Sequence, residues 1–220
     1  MLTAKVTLRA GGYHLSGDYL DLQSLHRSLH EICHDESDGD AYPENLVFQL
    51  AYDVRKAMQG HRAKTKMEGF SDKPTLYRTV TLSLPRALIQ FAFTLRLVVG
   101  RSLPMQHTAN IHAFGATLSS ALGQLDFPSP EGFIASVSRT VSGWPSWPDF
   151  YVVDLIDMEY LYQHQTKRAR IKELKHLPEN LRYGGPFANA ALRARAKYAK
   201  EHGVAPETLG AVWPDEAPKY

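Results

Sequence analysis

Residues 76–99, LYRTVTLSLPRALIQFAFTLRLVV, change from one secondary-structure pattern to another within a few positions. Apolar and polar residues alternate as far as Leu84, which is the two-residue period of a strand with one buried face. Pro85 then closes the strand, because it has no N–H to donate, and suits the first turn of a helix. Residues 86–99 are apolar on almost every side. The stretch predicts a strand that leads directly into a buried helix.

The N-terminal residues predict a β-hairpin that can join this strand in a sheet. Residues 2–10 alternate between apolar and polar side chains. Gly11 and Gly12 offer a two-residue turn that tolerates positive φ, and residues 13–16 can pair back. Two strands joined by so short a turn are antiparallel.

Apolar residues at spacings of three and four predict the helices. Leu22, Leu25 and Leu29 mark the first, Pro43 suits the first turn of the second, and Gly60 can end it. Later helices are predicted over residues 108–123, 131–140, 149–176 and 186–202. The chain therefore has the pattern of an α+β fold, with a small antiparallel sheet covered by helices and an all-helical, basic C-terminal region.

Proline and glycine are densest between residues 126 and 149, which predicts an interruption of regular structure. We therefore divide the chain into an α+β core module (1–125), a Pro/Gly-rich connection (126–148) and a helical basic C-terminal region (149–220). Residues 1–125 contain enough apolar surface for a core of their own, so we expect a fragment ending near Leu125 to fold.

Composition excludes several classes of protein. The chain has 220 residues, 44% of them hydrophobic, and a net charge of only +2, so it is not disordered. Its one cysteine, Cys33, excludes an internal disulfide and multi-cysteine zinc modules, and predicts a cytoplasmic location. We expect no secretory signal and no membrane contact, because the most apolar stretch, 88–100, is too short to span a bilayer.

The small net charge hides an asymmetry. Residues 160–202 hold ten Lys and Arg against three Asp and Glu, a net charge of +7, whereas the other 177 residues sum to −5. Helical spacing gathers these cations on two faces, which could neutralise nucleic-acid phosphates. The candidate nucleic-acid-binding residues are Lys167, Arg168, Lys172, Lys175, Arg193, Lys197 and Lys200. Stacking on bases could come from Tyr160, Tyr162, Tyr183 and Tyr198.

Histidines on the first helix are a weak alternative for a metal site. His26, His30 and His34 follow one another at intervals of four, so one helix edge can present two imidazoles to a single ion. No motif elsewhere supplies further ligands, and histidines beside an apolar stripe are more typical of a helix boundary. We expect neither a metal nor any other cofactor.

Arg55 and His61 form the one candidate catalytic pair, at the end of the second helix. Their spacing, Arg-x5-His, resembles the active-site motif of helical, metal-independent ribonucleases of the HEPN type. That resemblance implies that Arg55 positions a phosphate and His61 assists proton transfer. Arg101 and His107 repeat the spacing. No glycine-rich phosphate loop or G-x-S-x-G nucleophile motif is present.

Two patterns resemble a family of small uncharacterised bacterial and phage proteins. They are GDY-x-DL at residues 17–22, followed by His30-Glu31-Ile32, and YD-x-R-x-A-x-QG-x-R at residues 52–62. The strand and helix at residues 77–97 also fit. The resemblance covers residues 1–125; it implies a compact α+β module and assigns no catalytic residue.

We therefore predict a non-enzymatic bacterial or phage accessory or scaffold protein. Its basic C-terminal helices would contact nucleic acid or a nucleoprotein complex, with phage defence as the setting that the resemblance suggests. A protein partner or a homo-oligomer would fit the N-terminal module. The alternatives are a HEPN-like ribonuclease using Arg55 and His61, or a purely structural oligomer subunit.

Overall fold

The computed structural model describes residues 1–33, 42–67, 74–144 and 150–206. Its strands form one antiparallel sheet in the order β1-β2-β4-β3. The strands are β1 (Thr3–Val6), β2 (Gly12–Gly17), β3 (Ala63–Met67) and β4 (Thr75–Ser83).

Helices supply most of the remaining described structure. They are α1 (Tyr19–Cys33), α2 (Tyr42–Met58), α3 (Leu84–Val99), α4 (Met105–Gly123), α5 (Pro130–Ser142), α6 (Phe150–Met158), α7 (Lys167–Asn180) and α8 (Pro186–His202). A π-helical turn, Glu159–Gln163, continues α6. The predicted α+β class is confirmed. None of the helices in the described ranges is long and apolar enough to cross a membrane.

The sheet buries one face and leaves the other polar. Leu15 of β2 pairs with Val80 of β4, and both side chains lie in the core. On the opposite face the hydroxyls of Ser16 and Thr79 are 2.7 Å apart. This division follows from the alternation of side chains along a strand.

The predicted hairpin exists, but its predicted turn was wrong. β1 ends at Val6 and β2 begins at Gly12, so the turn comprises residues 7–11 instead of Gly11 and Gly12 alone. Thr7 closes this longer turn, because its backbone N–H and its hydroxyl both bond to Gly12. Ala10 is buried within the turn at a φ of 55°, a left-handed value that non-glycine residues seldom adopt.

β3 lies in a charged stretch of the chain where the sequence pattern predicts no strand. It pairs with β4 at the edge of the sheet, from Ala63 opposite Thr79 to Met67 opposite Thr75. Residues 63–66 are exposed on both faces, so no apolar alternation reveals the strand in the sequence. Backbone pairing with β4 forms it instead.

α3 is the central helix and follows β4 without a loop, as predicted. The hydroxyl of Ser83 accepts a hydrogen bond from the backbone N–H of Arg86, so Ser83 is the N-cap. Side chains on nearly all sides of α3 are buried. A helix with this pattern needs neighbours all round, and α1, α2, α4, α5 and α6 supply them.

One continuous core joins both ends of the described chain. Its buried side chains run from Ala10 to Ala191. The Pro/Gly-rich connection contributes to it through α5, which contacts α3 and buries Ile134, Val137 and Val141. The short helix predicted at residues 131–140 thus exists and is slightly longer.

Candidate nucleic-acid interface

α7 separates a buried face from a basic one. Arg170, Leu174 and Leu177 are buried at helical spacing. Arg168, Lys172 and Lys175 repeat the same spacing about half a turn away, so they point from the core into solvent, and all three are exposed. Lys167, in the first turn, is exposed as well. The predicted cationic face of α7 therefore lies on the surface.

α8 is built in the same way. Its buried positions are Ala188, Ala191, Arg195 and Ala199, whose mostly small side chains allow close packing. The exposed positions about half a turn away carry Arg193, Lys197 and Lys200. Because α7 and α8 contact each other, we define the seven exposed cations of the two helices as the α7–α8 surface.

Two of the ten cations counted in this region are structural. Arg170 is fully buried, and its guanidinium donates to the backbone carbonyls of Tyr160, Leu161 and His164 at 3.2, 2.7 and 2.5 Å. Tyr160 and Leu161 belong to the π-helical turn and His164 follows it directly, so Arg170 pairs with carbonyls at the end of this helical segment. Burial lowers the pKa of Arg170 below its usual value. Arg195 is buried with its guanidinium carbon 5.3 Å from the ring centroid of Tyr151.

Acidic side chains neutralise little of the α7–α8 surface. Lys197 and Glu201 form an exposed pair at 3.9 Å, a kind of contact worth little in water. Within the described parts of the chain, the other six cations have no ion-pair partner. Nearby Glu173 and Glu179 face His164 at 3.5 Å and Arg182 at 3.8 Å. The surface therefore carries seven exposed positive charges, only one of which is in an ion pair among the described residues.

The tyrosines predicted to stack on bases have different environments. Tyr160 is buried, and its hydroxyl donates to the carbonyl of Ala10, so this prediction was wrong for Tyr160. Tyr183 and Tyr198 are exposed, yet each ring contacts another ring. Their partners are Trp144, at a centroid distance of 5.1 Å, and His202, at 3.9 Å.

Arg55 and His61 flank the end of α2 and are both exposed. The guanidinium carbon of Arg55 is 5.2 Å from the ring centroid of Tyr52. The backbone N–H of His61 donates to the carbonyl of Lys56, and that of Gly60 to Ala57. These two bonds form a Schellman motif that needs the positive φ of Gly60, 81°. Gly60 therefore terminates α2, as predicted, two residues after its last helical residue, Met58.

The repeated Arg-x5-His spacing has a structural role. Arg101 donates through Nη1 to the carbonyl of Ile32 near the end of α1. Nδ1 of His107 is 3.0 Å from the hydroxyl of Ser28 in the middle of α1. Both side chains therefore fasten the start of α4 and its preceding loop to α1.

His26 and His30 lie side by side, with ring centroids 4.4 Å apart. His34 lies outside the described residues. Burial lowers the pKa of His26, and the neighbouring His30 and Arg55 lower it further. In the portions of the chain that are described, no group of three His, Cys, Asp or Glu side chains is placed to hold a metal ion.

A second group of cations, three exposed and one (Lys56) half-buried, lies outside the predicted surface. Arg55 and Lys56 at the end of α2, and Lys64 and Lys66 on β3, belong to a run of residues, 55–66, without Asp or Glu. This local excess of positive charge is present in the sequence. It disappears when charge is summed over all 177 residues outside 160–202.

The fold and its exposed cations define a small α+β protein with a basic helical surface. A family model described as a domain of unknown function, DUF6904, matches residues 2–218, and the chain belongs to this family. The matched span includes α7 and α8. No curated protein and no solved structure matches the chain.

Proposed function

We propose that the protein is a non-enzymatic accessory protein that binds nucleic acid, free or within a nucleoprotein complex, through the α7–α8 surface. One observation carries this proposal: the seven cations lie opposite the buried faces of two adjoining helices, and only Lys197 has an ion-pair partner among the described residues. Charges in this arrangement remain available to phosphates.

The physical basis is the release of counterions. Each phosphate that a Lys or Arg neutralises frees condensed cations, which favours binding at low salt and weakens it as salt rises. A contact of this type reads no sequence by itself. We therefore propose that this surface binds nucleic acid without regard to sequence. Any selectivity is supplied by another surface or by a protein partner.

The N-terminal sheet and helices serve in this proposal as a scaffold that holds the α7–α8 surface and presents other faces to proteins. The bacterial or phage setting and a role in phage defence stay predictions of the family resemblance. A purely structural oligomer subunit is the main competing proposal, and binding experiments separate the two.

The test reverses three charges and measures affinity for a labelled DNA duplex and an RNA of equal length by fluorescence anisotropy. Lys172, Arg193 and Lys200 are exposed and have no ion-pair partner in the described chain, so their replacement leaves the core intact. Lys172→Glu, Arg193→Glu and Lys200→Glu together should weaken binding by about tenfold or more.

The matched control reverses three exposed cations elsewhere, Lys5, Arg27 and Arg139, on β1, α1 and α5. It changes the net charge equally, so it should retain most of the affinity if the α7–α8 surface is the site. Equal losses in the two variants, or no binding by the unaltered protein, would refute the proposal.

A further inference from the structure

The second group of cations forms a surface of its own on the opposite edge of the sheet from β1. We call it the α2–β3 surface and define it by Tyr52, Arg55, Lys56, Lys64 and Lys66. These four cations have no ion-pair partner among the described residues. Arg62, by contrast, pairs with Asp53 at 2.7 Å and fastens the turn between α2 and β3.

The turn brings the two elements of this surface together. A Cβ at Gly60 would fall 2.7 Å from both Cε and Nζ of Lys64, so the end of that side chain lies directly over Gly60. The ammonium of Lys64 thus sits at the C-terminus of α2, where the helix dipole favours a cation. The cations of β3 and those at the end of α2 therefore belong to one continuous surface.

Tyr52 gives this surface an aromatic ring. It is 48% exposed, and its centroid lies 5.2 Å from the guanidinium carbon of Arg55 and 5.2 Å from Nζ of Lys56. Both cations lie over the ring, so a base that stacks on Tyr52 takes the place of one of them, and the displaced cation can contact the adjoining phosphate. Bases in a duplex are already stacked, so this arrangement favours unpaired ones.

The two basic surfaces differ in just this respect. The cationic faces of α7 and α8 consist of Arg168, Lys172, Lys175, Arg193, Lys197 and Lys200. Phe127, whose ring centroid lies 5.7 Å from Nζ of Lys175, is buried and cannot stack on a base. The exposed rings of Tyr183 and Tyr198 near these faces contact Trp144 and His202. The α7–α8 surface is therefore suited to phosphates in any strand, and the α2–β3 surface to phosphates together with a base.

We infer that the α2–β3 surface binds single-stranded nucleic acid, with Tyr52 stacking on an unpaired base and its four cations contacting phosphates. This inference rests on the proposed function in that it takes the partner to be a nucleic acid. It adds a second contact that distinguishes single strands from duplexes.

The experiment compares fluorescein-labelled oligothymidylate and oligouridylate of about 15 nucleotides with a DNA duplex of about the same length. Tyr52→Ala should weaken binding of both single strands by about fivefold or more and change duplex binding by less than about twofold. Tyr52→Phe should restore the single-strand affinity, because phenylalanine keeps the stacking ring. Tyr19→Ala removes a similarly exposed tyrosine outside the surface, whose ring also has a cation over it (Arg78, at 5.4 Å), and should change neither.

Lys64→Glu with Lys66→Glu provides the second arm, since both side chains are exposed and outside the core. This variant should also lose single-strand affinity. Single strands that bind Tyr52→Ala as well as the unaltered protein, or an equal loss for duplex and single strands, would overturn the inference. The α7–α8 proposal is tested separately. It fails if the protein with Lys172→Glu, Arg193→Glu and Lys200→Glu still binds the duplex.

Discussion

Arg86 and Asp157 form an ion pair that joins α3 to α6, with Nε and Oδ2 3.0 Å apart, although the two residues are 71 positions apart in the chain. The Asp157 side chain is only 4% exposed, and its other oxygen accepts a hydrogen bond from Ser83. Arg86 also donates to Asp154 at 2.5 Å. Burial alone lowers the pKa of Arg86, but Asp157 and Asp154 raise it above the usual value, so the guanidinium stays charged.

Asp157→Ala should destabilise the protein by about 3–5 kcal/mol, because it removes the more deeply buried of the two carboxylates that pair with Arg86. The free energy of unfolding in urea measures the effect. Asp154→Ala is the matched control on the same helix: this carboxylate is 22% exposed, so its loss should cost less. Equal and small losses in the two variants would show that the Arg86–Asp157 pair contributes little.

The division of the chain at residue 125 stays a prediction about folding, and the contacts across it favour a single cooperative unit. The Tyr160 hydroxyl bonds to Ala10, Asp157 pairs with Arg86, and α5 covers α3. We now expect a fragment of residues 1–125 to lose its cooperative thermal transition, contrary to the expectation from the apolar content alone. Circular dichroism melting of the fragment and of the full chain decides between the two expectations. A sharp transition in the fragment would show that residues 1–125 fold on their own.

Local patterns in the sequence were sufficient to predict part of the fold. The alternation up to Leu84, the capping residue Ser83 and Pro85 all lie within a few positions, so the β4–α3 junction could be foreseen. The hairpin turn could not, since it depends on the side chain of Thr7 bonding to Gly12. β3 was not predicted, because a strand that pairs at an exposed edge of a sheet needs no apolar pattern.

For the candidate site, only the helical spacing of its cations could be predicted from the sequence. Positions of the cations on α7 and α8 follow from the helical period, and the structure leaves them exposed as expected. Burial of Arg170 had no signal, because its acceptors are backbone carbonyls, which every residue has. The α2–β3 surface was missed because charge was summed over too long a stretch.

Acidification should weaken the folded state through His26. Burial, and then His30 and Arg55, hold its pKa below the usual value, so the unfolded chain takes up the proton first as pH falls. The stabilisation is complete above about pH 6.5 and declines below it. Urea unfolding at about pH 7.5 and about pH 5 should show a smaller loss in His26→Leu than in the unaltered protein. His112→Leu, at an exposed histidine of α4, is the control, and an identical loss in all three proteins would contradict this role of His26.

The purified protein should leave RNA and DNA intact, with or without divalent metal. Arg55 and His61 are both exposed at the end of α2 and belong to a helix terminus that the backbone of His61 helps to close. Gel analysis of labelled RNA after long incubation checks this expectation. Cleavage that resists EDTA and disappears in both Arg55→Ala and His61→Ala would instead establish the HEPN-like alternative.

The dependence of nucleic-acid affinity on salt tests the central proposal most directly. For a DNA duplex, the logarithm of the binding constant should fall linearly with the logarithm of salt concentration, by about 0.9 for each phosphate contacted. Lys172→Glu, Arg193→Glu and Lys200→Glu together should reduce that slope by roughly two to three, whereas the control at Lys5, Arg27 and Arg139 should keep it. A slope near zero in the unaltered protein, or an unchanged slope in the α7–α8 variant, would contradict the account.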